Sequence, residues 1–131
     1  ERVKGAYVWR SLLQNGSMII GGSDFPVEGV SPLWGIYAAV TRSDKSGYPE
    51  DGWYPQQKMT REEALRSFSQ WAAFGSFEEH TKGTIETGKW ADITILSKDI
   101  MRISPREILT TEVDMTIVGG NIVYKKPAVS Q

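Results

Sequence analysis

The sequence predicts an α/β fold that ends in a small antiparallel β unit, and three patterns carry this prediction. Apolar residues recur at helical spacing over residues 3–15. A short apolar run over residues 17–22 then leads into a second apolar helix, which begins after Ser31-Pro32. From Gly83 onward apolar and polar residues alternate, as in strands. Helix, strand and helix in this order indicate a parallel sheet, and the later alternation indicates antiparallel strands.

The first helix and the first strand are predicted from local signals. The helix of residues 3–15 is expected to end at Asn15-Gly16, because glycine tolerates the left-handed conformation that closes a helix. Residues 17–22 are apolar almost without a break, as in a parallel strand that is covered on both faces. A parallel strand needs partner strands, so we expect its neighbours to lie before Glu1 or on another chain.

The middle of the chain combines a buried helix with a long loop. Ser31 and Pro32 resemble an N-cap and a first-turn proline, and the helix of residues 33–40 is apolar nearly all round, so we expect it to be buried. Residues 41–59 contain glycines and prolines, and a loop of this length is usually functional or disordered. The aromatic residues in it favour an ordered flap, and we expect them to pack the flap onto the rest of the fold rather than to line a pocket. They are Tyr48, Trp53 and Tyr54.

The second half begins with a helix and continues with strands. Thr60 and Glu63 form a capping box, in which each side chain satisfies a free amide of the other residue, and the helix is expected to continue to about Glu79. The later strands follow from alternation, and Gly119-Gly120 is a hairpin signal. The expected strands are residues 91–96, 113–117 and 122–124.

Composition excludes several classes of partner. The 131 residues are 40% hydrophobic and 24% charged, which is sufficient for one domain with its own core. The net charge of −1 provides no basic field for nucleic acid or for an anionic membrane surface. No apolar run approaches the roughly 20 residues of a membrane helix. Because the chain has no cysteine, it has no disulfide or thiolate metal ligand, and its compartment stays open.

Asp24 is the strongest candidate for chemistry. It follows the apolar run of residues 17–22, and in barrels of alternating strands and helices the catalytic residues lie at the carboxyl ends of such strands. The competing interpretation is an aspartate that caps the following turn, because Asp-x-Pro, here Asp24-Phe25-Pro26, is common in turns. Spacing alone favours the turn cap.

Other polar residues give weaker signals. His80, the one histidine, follows two glutamates at the end of a predicted helix and is expected to lie on the surface. Arg42 follows an apolar helix, so it is either a residue that binds a substrate carboxylate or an exposed arginine at a helix end. Gly21-Gly22 lacks the lysine of a phosphate loop and is expected to permit close approach of backbone or ligand.

Several segments resemble a known family. The segment GTIETGKWADITIL, from Gly83 to Leu96, resembles the tail signature of the amidohydrolase superfamily of metal-dependent hydrolases. Residues 113–124 resemble the closing hairpin of that family, and residues 22–27, GSDFPV, resemble the end of its last barrel strand, whose aspartate serves the metal centre. Residues 38–42 and the aromatic flap resemble the branch that includes N-substituted formamide deformylase.

The resemblance implies both a fold and an activity. Residues 1–82 would be the last strand and flanking helices of a (β/α)8 TIM-type barrel, with the flap at 41–59, and residues 83–131 would belong to a small β-sandwich. The implied reaction is hydrolysis of a non-peptide carbon–nitrogen bond in a small amide or cyclic amide. It would use one or two divalent metal ions, zinc in first place. Asp24 would be metal ligand and general base, and Arg42 would bind substrate.

The sequence departs from the family in its metal ligands. The paired histidines, the carboxylated lysine and the two later histidines of the family have no counterpart here. A catalytic zinc site typically has three protein ligands, so the remaining ligands are expected outside this chain, and the chain alone is expected to be inactive. Two rivals stay open. One is a stand-alone interaction module whose open sheet edges pair with a partner or a second copy, and the other is a metal-independent lyase.

Overall fold

A computed structural model describes residues 2–128 and confirms a mixed α/β arrangement, with helices first and an antiparallel sheet at the end. Glu1 and residues 129–131, the end of the predicted β-sandwich segment 83–131, lie outside the described residues. No helix within the described range is long and apolar enough to cross a membrane. The elements are a 3-10 turn at Arg2–Gly5, α1 (Trp9–Gln14), α2 (Pro32–Thr41), a 3-10 turn at Pro55–Gln57, α3 (Arg61–Ser67), α4 (Gln70–Gly75), β1 (Ile93–Leu96), α5 (Pro105–Ile108), β2 (Val113–Val118) and β3 (Asn121–Lys125).

The sheet confirms the alternation seen in the sequence. Its strand order is β1-β2-β3, and both pairings are antiparallel. Ile117 of β2 pairs with Ile93 on one side and with Ile122 on the other. Gly119 and Gly120 join β2 to β3 with φ values of +55° and +81°, which residues with a Cβ rarely adopt. All five residues of β3 are exposed, so this strand forms an open edge.

The core surrounds α2, as its apolar sequence predicts. Ile36, Tyr37 and Ala39 of this helix are buried. Other buried apolar residues come from the end of the flap, from α3 and from the C-terminal half of the chain, so the core combines both segments that the sequence separates at residue 82. They are Met59, Ala64, Ile100 and Ile108.

Residues 17–22 do not form the predicted strand. They run without regular structure, and Met18 and Ile20 are 51% and 54% exposed. A parallel strand is held by hydrogen bonds to its neighbours, and the described part of the chain provides no strand to pair with this one. The segment is attached at Gly21 instead. Its N–H donates to the carbonyl of Ser67 at 2.9 Å, and a Cβ at Gly21 would crowd the Phe68 ring. This confirms the close approach expected at that glycine.

Two predicted helices are shorter than expected. The first begins only at Trp9, because Tyr7 adopts a left-handed φ of +52° that a continuous helix does not allow. The helix that starts after Thr60 is divided into α3 and α4, with Ser69 in a non-helical conformation between them. The Ser69 hydroxyl donates to the carbonyl of Leu65, a local bond that competes with regular helix geometry.

The capping box of Thr60 and Glu63 is present as predicted. The Glu63 N–H donates to Oγ1 of Thr60, and the Thr60 N–H donates to the Glu63 carboxylate at 2.7 Å. A second box, between Ser104 and Glu107, starts α5. Its signal in the sequence is a serine followed three residues later by a glutamate.

The Glu63 carboxylate also joins α1 to α3. Arg10 donates to both carboxylate oxygens, from Nη1 at 2.7 Å and from Nη2 at 2.6 Å, and it donates further to the carbonyl of Lys58. Both side chains are about three-quarters buried. The hydrogen bonds from Arg10, followed by those from Thr60, lower the pKa of Glu63 to about 2.

Glu63→Gln is expected to lower the free energy of unfolding by about 1–2 kcal/mol, because glutamine keeps the capping geometry and loses the charge pair with Arg10. Denaturant unfolding at neutral pH measures this difference. Glu62→Gln is the matched control, since Glu62 forms an exposed pair with Arg66 and its loss should cost less than about 0.5 kcal/mol. Equal losses in the two variants would contradict the prediction.

The same ion pair predicts a pH dependence. The folded-state pKa of Glu63 lies near 2, below the ordinary value of 4.5, so its stabilisation is complete above pH 4.5 and is lost as the pH falls toward 2. The stability difference between the natural chain and Glu63→Gln should therefore shrink over this interval. A difference that stays constant from pH 5 to pH 2 would show that the carboxylate charge does not carry it.

Candidate functional site

Asp24 lies at the start of a backbone-closed turn over residues 24–27. Its carbonyl accepts a hydrogen bond from the N–H of Val27 at 2.8 Å, and the Ser23 carbonyl accepts one from Glu28 at 3.2 Å. Asp24 itself has a φ of +50°, in the left-handed region. Aspartate enters this region more readily than most residues with a Cβ, and such conformations are concentrated at functional sites.

The Asp24 side chain does not take part in the turn. The residue is exposed, and within residues 2–128 no group donates a hydrogen bond to its carboxylate. A turn-capping aspartate would accept a backbone N–H two or three residues later through this carboxylate. The turn is instead closed by carbonyl groups of the backbone, which leaves the Asp24 carboxylate available to another partner.

The described residues do not hold a metal ion by themselves. In the range 2–128 no group of three or more histidine, cysteine, aspartate or glutamate side chains is close enough to do so. Asp24 contributes one carboxylate, whereas a catalytic zinc typically takes three protein ligands. His80 does not add to it, because its side chain is 92% exposed beside Glu79, which confirms its predicted surface position.

Arg42 is not the exposed helix-end arginine that one interpretation of the sequence expected. It caps the carboxyl end of α2 in a left-handed conformation, with φ +58°, and only 7% of it is exposed. Its guanidinium carbon lies 4.6 Å from the ring centre of Trp9 and 4.9 Å from that of Trp53. The sequence could not show this arrangement, since the two rings come from distant parts of the chain.

The Arg42 guanidinium is already engaged by the backbone. Nε donates to the carbonyl of Trp53, and Nη1 donates to the carbonyl of Tyr7 at 2.9 Å. Nη2 is buried and has no partner among the described residues. Burial away from water lowers the pKa of Arg42. Two of its three nitrogens therefore hold neighbouring segments together, and Nη2 is the one left for a ligand.

The flap of residues 41–59 is built around these contacts, which confirms that it is ordered. The Trp53 N–H donates to the Arg42 carbonyl at 2.8 Å, and the Trp53 ring contacts Tyr7 and Tyr54 edge to face. Gly52 has a φ of +84° and lies so close to the Thr41 carbonyl that no Cβ would fit. The packing role expected for Trp53 and Tyr54 agrees with this.

The tip of the flap behaves differently. Tyr48 is 74% exposed, so the packing role expected for it is wrong. The Asp44 carboxylate closes the tip by accepting the N–H groups of Ser46 and Tyr48, at 2.8 and 3.1 Å. The hydrogen bond from the Ser46 hydroxyl, followed by the one from the Tyr48 N–H, lowers the pKa of Asp44.

A cleft of about 410 Å³ opens elsewhere, where α1 ends beside α3 and α4. Its lining residues are Leu13, Gly16, Ser17, Met18, Thr60, Glu62, Glu63, Arg66 and Trp71. Asp24 and Arg42 are not among them, so this cleft is separate from both candidates that the sequence singled out. Its carboxylates are already paired with Arg10 and Arg66.

Trp34 and Lys45 were not among the residues that the sequence patterns singled out. The Trp34 ring packs against Gly29, where an added Cβ would overlap it, and the Lys45 ammonium lies 3.1 Å from the ring centre. Gly29 itself gave a signal in the sequence, because a glycine that no turn requires often lies where another group packs directly against the backbone. The group that packs there was not evident from the sequence.

Comparison with known proteins defines the class of this chain. Residues 1–124 match the amidohydrolase family, and the chain belongs to that family. It is 35% identical over 128 residues to the amidohydrolase-family protein YtcJ of Bacillus subtilis (strain 168). It is also 31% identical over 117 residues to N-substituted formamide deformylase of Arthrobacter pascens. The likeness to this branch was expected from residues 38–42 and the flap, and it is confirmed.

A third relative has a different description. Protein LONG AFTER FAR-RED 3 of Arabidopsis thaliana is 32% identical over 122 residues. The three matches cover 96%, 93% and 89% of this chain but only 24%, 20% and 21% of the relatives, in the order YtcJ, the Arabidopsis protein and the deformylase. The chain thus spans about a quarter of their length or less. No solved structure matches it.

Arg42→Met is expected to loosen the flap, because methionine keeps much of the volume but loses the bonds to the carbonyls of Tyr7 and Trp53. Chymotrypsin, which cuts after aromatic residues, should then cleave after Trp53 at least several-fold faster, whereas the bond after Tyr54 is protected by Pro55. Arg102→Met is the control, since the Arg102 side chain is largely exposed. Unchanged cleavage in Arg42→Met would contradict an anchoring role.

Proposed function

We propose that this chain is the C-terminal part of a metal-dependent hydrolase that cleaves a non-peptide carbon–nitrogen bond in a small amide or cyclic amide. Membership of the amidohydrolase family supports the reaction class. The likeness to a protein named N-substituted formamide deformylase supports an amide-like substrate. In this proposal residues 17–22 become the last strand of a (β/α)8 barrel once other segments pair with them, and residues 83–128 contribute to a β-sandwich.

The free carboxylate of Asp24 is the observation that carries the proposal. It stands on a turn that is closed by backbone hydrogen bonds, and it has no donor from the rest of the described chain. A carboxylate in this state can take a proton from an attacking water and pass it to the leaving nitrogen. A divalent metal, zinc in first place, would lower the pKa of that water and polarise the carbonyl. Its remaining ligands would lie outside this chain, because Asp24 alone does not form a site.

Arg42 has a narrower role in this proposal than its sequence position suggests. Its Nε and Nη1 fix the flap and the segment at Tyr7, so only Nη2 remains to bind a substrate carboxylate. Such a contact would require access to a nitrogen that is now buried. Its first function in the proposal is therefore to hold the flap in place, and substrate binding through Nη2 is secondary.

The interaction-module alternative has one observation in its favour. Three apolar side chains around the Asp24 turn are strongly exposed: Phe25, Val27 and Val30. Exposed apolar patches mark surfaces that contact another chain or another segment. In the proposed hydrolase this surface meets the rest of the protein, whereas in the alternative it meets a partner or a second copy. Activity of the whole protein separates these two outcomes.

Asp24→Asn in the whole protein is expected to lower turnover of an N-substituted formamide by 100-fold or more, because the amide cannot accept the proton. The fold should survive, since the Asp24 side chain makes no hydrogen bond in the described chain. Turnover and circular dichroism measure the two effects.

Glu28→Gln is the matched control, because it removes an exposed carboxylate from the same segment and should leave turnover within about twofold. Chelation should also abolish turnover, and added zinc should restore it. Near-normal turnover in a folded Asp24→Asn variant would rule out the assignment. Activity that resists chelation would favour a metal-independent enzyme instead.

The exposed patch predicts that the isolated chain self-associates. Sedimentation velocity over a wide concentration range should show mass increasing with concentration, because association removes Phe25 and Val27 from water. Val27→Ser should weaken the effect. Phe77→Ser, at a strongly exposed position in another part of the chain, is the control. A clean monomer at every concentration would contradict the prediction.

A further inference from the structure

Trp34, in the first turn of α2, fills the space beside the Asp24 turn. A Cβ added to Gly29 would overlap Cζ3 and Cε3 of the Trp34 ring, so the backbone at Gly29 lies directly against the indole. Gly29 follows Glu28, whose N–H closes the turn on Ser23. Any shift of the ring therefore acts on the segment that carries Asp24.

Lys45, near the tip of the flap, also contacts the Trp34 ring. Its Nζ lies 3.1 Å from the centre of the Trp34 ring, within the range of a cation–π contact. The backbone around Lys45 is fixed by the Asp44 carboxylate, which accepts the N–H of Ser46. The base of the flap is anchored in turn by Arg42. Thus the flap contacts the Trp34 ring through Lys45, and the segment that follows the Asp24 turn contacts it through Gly29.

Asp24 needs such external support. Its left-handed backbone is not stabilised by its own side chain, which bonds to nothing in the described chain. The turn has two backbone hydrogen bonds, and the apolar residues around it are exposed. Packing of Gly29 on Trp34 is therefore a contact that can fix where the turn lies relative to α2.

We propose that Trp34 is a positioning residue for Asp24 and that Lys45 fixes the orientation of the Trp34 ring. The indole acts through Gly29 on the Asp24 turn and does not itself contact the reacting atoms. The expected effect on turnover rests on the function proposed for Asp24. The contact that couples Lys45 and Trp34 to the Asp24 segment does not depend on that function. The flap thereby influences the placement of the carboxylate without touching it.

The first test follows the backbone of the turn. In Lys45→Met and Trp34→Leu, the amide resonances of Asp24 and Gly29 are expected to shift, whereas Lys45→Arg keeps the cation over the ring and should resemble the natural protein. Lys125→Met and Trp90→Leu, at exposed positions in the other half of the chain, are the matched controls. Amide signals of the turn that stay unchanged in Lys45→Met would overturn the proposal, even if Trp34→Leu fails to fold.

The second test measures turnover in the whole protein. Misplacement of a catalytic group lowers the rate of the chemical step more than it weakens substrate binding. Trp34→Leu should lower kcat at least 10-fold and Lys45→Met about threefold, with KM within twofold, and Lys45→Arg should restore kcat. A KM effect alone, or no rescue by Lys45→Arg, would contradict the positioning role.

The two tests keep this inference separate from the function proposed above. If Asp24→Asn retains turnover while the amides of the turn still respond to Lys45→Met, the coupling stands and the assignment of Asp24 fails. If Asp24→Asn inactivates the enzyme while the amide resonances of Asp24 and Gly29 are unchanged in Lys45→Met and Trp34→Leu, the assignment of Asp24 stands. The positioning role of Trp34 is then overturned.

Discussion

The fold depends on the burial of α2, whose apolar side chains have to be covered on nearly every side. This ten-residue helix is apolar almost all round, so any exposed face would cost stability. Segments distant in sequence provide the cover. Phe68 packs so closely on Gly35 that a side chain there would not fit, and Ile108 of α5 closes the core from the C-terminal half. Both ends of the helix then serve the candidate site, since Trp34 supports the Asp24 turn and Arg42 anchors the flap.

Arg42 shows how a charge is accommodated at the edge of this core. Withdrawing a guanidinium from water is costly unless its donors find acceptors. Here two nitrogens bond to carbonyl oxygens, and the guanidinium lies within cation–π distance of two indole rings. The same contacts tie the N-terminal segment at Tyr7 and the flap at Trp53 to the end of α2. The arginine thus determines the fold of the flap, whatever its Nη2 binds.

Features set by local interactions could be predicted from the sequence, and those set by distant partners could not. The Thr60–Glu63 capping box and the Gly119-Gly120 hairpin depend on a few neighbouring residues, and both are present. Residues 17–22 have the composition of a parallel strand but lack neighbours to pair with among the described residues. Similarly, no local pattern reveals that Trp9 and Trp53 enclose Arg42. For the candidate site, the sequence predicts the carboxylate of Asp24, and it does not reveal that Trp34 packs against the nearby Gly29.

Asp24 therefore has to be understood through two separate sets of contacts. One set lies within the chain: the backbone bonds from Val27 and Glu28 close its turn, and Trp34 supports that turn through Gly29. These contacts orient the carboxylate without using it. The other set would complete the chemistry, and the chain offers no cluster of ligands for it among the described residues. Family membership consequently constrains the class of reaction, whereas the role proposed for Asp24 depends on ligands that the described residues do not provide.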